Sequence, residues 1–305
     1  MLLKLIASWF DNHAAGELIS NNKASNIAWG RIIPFIILHL ACGLVFVVGY
    51  SDFAVAVATL LYLIRMFAIT GFYHRYFSHR TFKTFRPVQF VFAFIGASAA
   101  QRGPLWWAAH HRHHHAKSDT SHDPHSPRHQ GFLASHMGWF LRSHNFSTQI
   151  ERIRDLIHYP ELRFIDRFDI IAPLTLMITL YALGAWLELA YPALNTNGWQ
   201  LLVWGFAIST IFLYHMTFTV NSLAHLWGKR RFNTSDDSRN NFFIALFTLG
   251  EGWHNNHHHF PGAARQGFYW WEIDFTYYLL KLMSWLGLVW DLKKVPAPVR
   301  NQRTL

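Results

Sequence analysis

One cysteine, Cys42, serves all 305 residues. A lone thiol excludes an intrachain disulfide and any zinc or iron–sulfur site built on several cysteines. Charge is the second scarcity: Asp, Glu, Lys and Arg make up 14% of the chain, well below the ~25% usual in soluble domains. That deficit argues for long buried or lipid-facing segments. No internal repeat, low-complexity tract or nucleic-acid-binding module is visible, so the net charge of +10 does not point to nucleic acid. It points to anionic lipid or an acidic protein. A cleavable signal peptide is also lacking. Residues 1–10 are apolar but hold only Lys4, and no small-residue cleavage site follows. They read equally well as a short interfacial helix or as a frayed terminus.

Apolar and aromatic residues are abundant, at 51% and 17%. Crossing a bilayer takes ~20 apolar residues, and residues 32–50, 53–72, 170–190 and 201–220 qualify. The second stretch holds Arg65 and the third Glu188; the other two carry no formal charge. Only Ser51 and Asp52 join the first two, and the linker 191–200 contains Pro192, Gly198 and no Lys or Arg. The basic residues outside the spans therefore gather on the opposite side, which the positive-inside rule makes cytoplasmic. Both termini then lie there too. Residues 88–100 are too short to cross, and 273–290 carry Asp274 and Lys281; both read as re-entrant or interfacial helices. The expected fold is all-α: a multi-pass protein of a cytoplasmic (inner) membrane. Four transmembrane helices lie under a cytosolic helical cap formed by 73–169 and 221–305, and 1–305 is one domain.

Histidine is the residue present in excess, at 21 copies. Nine copies fall into four groups with metal-ligand spacing: His74 and His79; His111, His114 and His115; His225, four residues after Asn221; and His254, His257 and His258. Positions i, i+3 and i+4 share a helix face, so each triple is expected to point one way, as are Asn221 and His225. His74 and His79 are five apart, which suits a helix end better than a helix face. All four groups fall on the cytoplasmic side provided 88–100 does not cross. Neutral imidazole suits Zn, Cu, Fe and Ni. Nine imidazoles are too many for one ion and enough for two. Without thiolates, and beside membrane spans, two irons working with O2 are the natural pair. Asp119, Asp123 and Glu251 are candidate carboxylates to orient the imidazoles and offset the metal charge. His113 and His259 fall off the spacing. His110, His122, His125, His129 and His136 lie nearby as candidates behind the ligands. His13, His39, His144, His158 and His215 read as ordinary histidines.

The stretches GFYHRYFSHRTF (71–82), GPLWWAAHHRHHHAKSDTSHDPHSP (103–127), SHMGWF (135–140), NSLAHLWG (221–228) and GEGWHNNHHHFP (250–261) resemble one known family. They are similar to membrane-bound fatty acid desaturases of the stearoyl-CoA or acyl-lipid Δ9 type, bacterial and cyanobacterial members especially. The resemblance implies two Fe2+ ions held by His74, His79, His111, His114, His115, His225, His254, His257 and His258, with Asn221 acting through water. It also implies a bent apolar substrate tunnel. Trp107 matches an aromatic lining such tunnels, and Phe218 stands where animal members have Trp. The expected substrates are a saturated fatty acyl-CoA or acyl-lipid and O2. Animal acyl-CoA enzymes have Arg-Asp where this chain has Ala109 and His110, which leaves the acyl carrier open. No cytochrome b5 domain accompanies the motifs, so a separate electron donor is expected: ferredoxin, rubredoxin or a cytochrome b5-like protein. Arg142, Arg152, Arg154, Arg163 and Arg167 are candidates to bind membrane lipid or that donor.

An unactivated methylene offers no acidic proton, so the hard chemistry must be the metal's. Two rival readings use the same residues. A membrane hydroxylase would insert oxygen instead of removing two hydrogens, and a metal transporter would string its ligands along a path through the bilayer.

Overall fold

The computed structural model describes residues 2–13, 27 and 29–302. Three helices are long and apolar enough to cross a membrane: Asp52–Ser78, Ile171–Ala190 and Gly198–His225. The first expected span forms a shorter, jointed apolar helix, Ile32–Val48. Here α2 (Trp29–Ala41; α1 is Leu2–Phe10) passes into a tight turn at Cys42–Leu44 before Val45–Val48, and Gly49 ends the run with φ +66°. Its side chains are well exposed, Phe46 by 92%, so its outer face has no protein partner.

Ser51 starts the next helix by accepting from the Ala54 amide at 3.1 Å, the usual N-cap contact. This helix, α3 (Asp52–Phe67), widens into a π-helix over Ala68–Ser78. Arg65 does not snorkel. It is buried and donates to Thr210 Oγ at 2.7 Å, to the Ser98 carbonyl and to Ser209. The expected short stretch becomes α4 (Arg86–Ala97), and the helix after it is α5 (Pro104–Lys117). Both begin with proline in the first turn, where its missing N–H costs nothing.

The long helix α6 (Ile171–Ala190) packs on the start of Gly198–His225, whose last regular part is α7 (Ser209–Asn221). Glycine permits the approach: a Cβ on Gly184 would sit 2.4 Å from the Asn197 carbonyl oxygen and 2.7 Å from Gly198 Cα. Small residues bring membrane helices close in this way.

Two short helices follow the spans before the chain ends, α8 (Phe242–Phe247) and α10 (Phe275–Trp285), with α9 (His254–His259) between them. Tyr62, midway along α3, donates to the Phe247 carbonyl, and Thr276 bonds Thr70 at 2.7 Å. The apolar segments 242–247 and 275–285 therefore lie alongside the spans and are too short to cross. One small antiparallel pairing, β1 (Lys83–Thr84) with β2 (Val289–Trp290), ties the C-terminal region back to the segment after α3. The N-terminal helix is fastened as well: Asp11 pairs with Arg167 at 2.7 Å.

Candidate metal centre

Nine histidines from four places in the chain converge into two adjoining groups. His74, His79, His111, His115 and His257 form one; His114, His225, His254 and His258 form the other. In each group one ring nitrogen from every histidine lies within 4.8 Å of those from the others.

Helix α5 and helix α9 each feed both groups. Residues four apart are offset by ~40° on a helix, and successive residues by ~100°. The i, i+4 pair His111 and His115 therefore enters one group, while His114 swings into the other. On α9 the i, i+4 pair is His254 and His258, and His257 crosses over. The expectation that each triple points one way is thus corrected: each helix lies between the groups and divides its ligands.

His74 and His79 come together for a different reason. A π-helix closes i→i+5 bonds, and the His79 amide donates to the His74 carbonyl at 3.2 Å. A spacing of five then puts both rings on one side, 4.9 Å apart. Asn221 and His225 part company. α7 ends at Asn221, and His225 sits on the separate turn Leu223–His225. His225 enters the second group, whereas Asn221 faces the cavity described below.

Behind the rings stand carboxylates. Asp119 accepts from His225 Nδ1 at 2.7 Å, Asp123 from His114 Nδ1 at 3.0 Å, and Asp236 from His258 Nδ1 at 2.7 Å. Glu251 pairs with His74 Nδ1 and with Arg75, which also pairs with Asp274 at 2.9 Å. Asp119, Asp123 and Glu251 match the expectation. Asp236 was missed, as was Gln266, whose Nε2 lies 3.2 Å from His74 Nδ1. Nothing in the local sequence links Asp236 to His258; only the fold joins them. Burial by itself would raise these carboxyls. The bond from His225 to Asp119, the nearby His125 ring together with the His114 bond at Asp123, and the bond from His258 to Asp236 hold them well below the usual carboxylate range instead. Glu251 is held at about 2, because His74 and Arg75 outweigh its burial.

The imidazoles carry the complementary property. Burial, and after it the neighbouring rings, push His79, His111, His115, His254 and His257 well below the ordinary value. His258 falls to about 4 by burial, partly offset by Asp236. These six rings are therefore neutral near pH 7, whereas at His114 the Asp123 carboxylate outweighs burial and raises the imidazole above its ordinary value. Where Nδ1–H is committed to a carboxylate, Nε2 carries only a lone pair. Several Nε2 atoms, two of them on carboxylate-tied rings, face each other closely: His74 and His257 at 3.0 Å, His79 and His111 at 2.8 Å, His257 and His115 at 2.9 Å, His225 and His254 at 3.0 Å. His258 Nε2 is buried without a hydrogen-bond partner. Two nitrogens each ~2.1 Å from one ion and at right angles stand ~3 Å apart. The donor set thus fits one cation per group. The second group is backed by three aspartates. In the first, Arg75 offsets much of the charge of Glu251 and Asp274.

A cavity of about 500 Å³ reaches this centre. Ile33, Ile37 and Leu38 of α2, Pro173 and Met177 of α6, and Phe206 form much of its apolar wall, and His111, His125 and Asn221 also line it. Trp107 and Phe218 both line it. Trp107 stacks on His111 with ring centres 5.0 Å apart. Among the other histidines, His129 Nε2 lies 3.0 Å from the Asp119 carbonyl, and His125 rests against His114 and Trp139. His110 is buried and turned toward the Ser147 carbonyl. A separate surface groove of about 880 Å³, lined in part by Trp227, Lys229 and Arg230, contains none of the nine ligands.

The sequence signature of the fatty acid desaturases spans residues 51–286, most of the chain and all nine histidines. The chain belongs to the fatty acid desaturase family. Relatives named as desaturases include plant and cyanobacterial proteins. It is 38% identical over 254 residues to the palmitoyl-monogalactosyldiacylglycerol delta-7 desaturase of Arabidopsis thaliana, covering 82% of this chain and 64% of that protein. It is 35% identical over 276 residues to the icosanoyl-CoA 5-desaturase of Limnanthes douglasii, covering 89% and 73%. With the sn-1 stearoyl-lipid 9-desaturase of Anabaena variabilis it shares 34% identity over 278 residues, 90% of this chain and 97% of that one.

Proposed function

We propose that this chain is a membrane-embedded, O2-dependent fatty acyl desaturase that introduces a cis double bond, at Δ9, into a saturated acyl-lipid or acyl-CoA. One observation carries the reading: two imidazole groups adjoin a largely apolar cavity lined in part by Trp107, His111 and Asn221. His74, His79, His111, His115 and His257 would hold one Fe2+, and His114, His225, His254 and His258 the other, with Asn221 reaching the second through water. Bound there with O2, the irons supply the hydrogen abstraction that no side chain can perform.

The chain's own residues do the rest. Asp119, Asp123, Asp236 and Glu251 fix the ring orientations through Nδ1. Trp107 and Phe218 steer the acyl chain and exclude water. Ala109 and His110 are both buried and put no permanent cation at those two positions of the ligand helix. This weighs against a CoA ester, while the relatives matched over nearly their full lengths include both a stearoyl-lipid and an acyl-CoA enzyme. We further take Ile32–Val48 as a fourth crossing, the cap and both termini as cytoplasmic, 1–305 as one domain, and the electron donor as a separate ferredoxin, rubredoxin or cytochrome b5-like protein.

Expression in a desaturase-deficient host, with fatty-acid profiling and double-bond location by mass spectrometry, tests this. The expected product has lost two hydrogens at one position. A product that has gained one oxygen identifies a hydroxylase and overturns the reading.

A further inference from the structure

Three histidines outside the nine form a chain of their own. His39 lies on α2, His215 on α7 and His136 on the turn Ala134–Gly138. His39 Nδ1 meets the Phe35 carbonyl at 2.8 Å, and its Nε2 meets His215 Nε2 at 3.3 Å. His215 Nδ1 meets His136 Nε2 at 3.0 Å, and His136 Nδ1 meets Ser222 Oγ at 2.9 Å. Ser222, fully buried, donates to the Phe218 carbonyl at 2.9 Å. These nitrogens meet in successive pairs and do not converge on one point, so this is not a third metal site. Phe218 and Asn221, on either side of Ser222 in the chain, line the acyl cavity.

The proton count decides what this chain can do. The Phe35 carbonyl only accepts, so His39 Nδ1 carries a proton. While Ser222 donates to Phe218, its oxygen accepts, so His136 Nδ1 carries one too. Each of the two gaps between rings needs one more. That makes four protons, one more than three neutral imidazoles hold. With three protons, Ser222 turns its hydroxyl to His136 Nδ1. The sequence then runs Ser222 to His136, His136 to His215, His215 to His39 and His39 to Phe35, with every gap filled. The chain can therefore gain or lose one proton without breaking a link between its members; only the Ser222 hydroxyl changes its acceptor. The groups packed around it are Phe35, Phe132, Tyr214 and Phe218. Tyr214 directs its hydroxyl to the Ala100 carbonyl at 2.6 Å. Among the described residues, no carboxylate pairs with any of the three rings.

We propose that Ser222, His136, His215 and His39 form a proton relay that stores one proton and delivers it toward the cavity during turnover. This rests on the desaturase reading. Desaturation takes two hydrogens from the acyl chain and reduces one O2 to two waters. The balance is completed by two electrons from the donor and two protons from the surroundings. The relay handles those protons one at a time; it forms no bond to substrate.

The test has two arms. In 15N-histidine-labelled protein in bilayers, solid-state NMR across a falling pH series should show one imidazolium hydrogen-bonded at both nitrogens. That signal should be absent from His215→Ala and from Ser222→Ala. In turnover assays, His215→Ala should be slowed roughly tenfold or more at unchanged iron content. It should show a larger solvent deuterium isotope effect and be partly restored by added imidazole. Ser222→Ala, which removes a single oxygen, serves if His215→Ala does not fold. No such imidazolium in the wild type, or variants with unchanged rate and isotope effect, overturns the relay. A wild type that shows the imidazolium but makes no double bond overturns the desaturase reading instead.

Discussion

His114 and His115 are neighbours in the chain and belong to different metal groups. At this scale the centre is built from pairs: each ring needs its metal-facing nitrogen free and, at four rings, the other nitrogen tied to a carboxylate. His257 sits in the crowded first group, facing both His74 and His115. His257→Ala should abolish desaturation while the protein still inserts, as judged by product profiling and by the amount in the membrane fraction. Asp236→Asn should behave differently. It leaves every proposed ligand in place and removes the charge that orients His258, so metal affinity should fall about 10–100-fold, measured as iron retained against a competing chelator. An unchanged affinity would strip Asp236 of that role. Phe218, in the cavity wall against Phe140 and Tyr214, should set how far the acyl chain enters. Phe218→Trp should shift chain-length preference or bond position; an identical product profile would remove it from the specificity wall.

Elements decide which residues can meet. A five-residue spacing looked unsuitable for a helical face because an α-period was assumed; the π-helix over Ala68–Ser78 supplies the longer period. The same assumption made the α5 and α9 triples seem single-minded, although 3.6 residues per turn already separates His114 from His115 by ~100°. Span packing depends on a few small residues. Gly184→Val would drive a side chain into the Asn197 carbonyl and Gly198. Such overpacking costs about 1–3 kcal/mol, so the melting temperature in detergent should fall, with α6 and the Gly198–His225 helix splayed. A melting temperature equal to that of the parent would show that the contact yields freely.

For the whole molecule, the centre makes stability depend on pH. The five imidazoles of His79, His111, His115, His254 and His257 stay neutral in the fold well below their ordinary 6.5. The unfolded chain takes up those protons first as the pH falls. Their contribution is therefore complete above about pH 6.5 and is lost progressively below it. Glu251, at about 2 against an ordinary 4.5, adds a further loss as the pH drops from 4.5 toward 2. Metal makes the dependence steeper, since protons compete for the same nitrogens. Melting temperature should decline from pH 7 to pH 5, more for iron-loaded protein than for stripped protein. A flat profile over that range would contradict the neutral, buried assignment.

The sequence by itself determined the apolar segments, the histidine groups and three of the four supporting carboxylates, because composition and short-range spacing govern those. It also led to the family, through motifs that keep their residues contiguous. Only the tertiary structure decided how nine rings divide into five and four, that Asp236 stands behind His258, and that His39, His136 and His215 join. Helical periodicity relates residues about four apart. Convergence of positions separated by tens to hundreds of residues depends on how the helices pack, which no local pattern encodes.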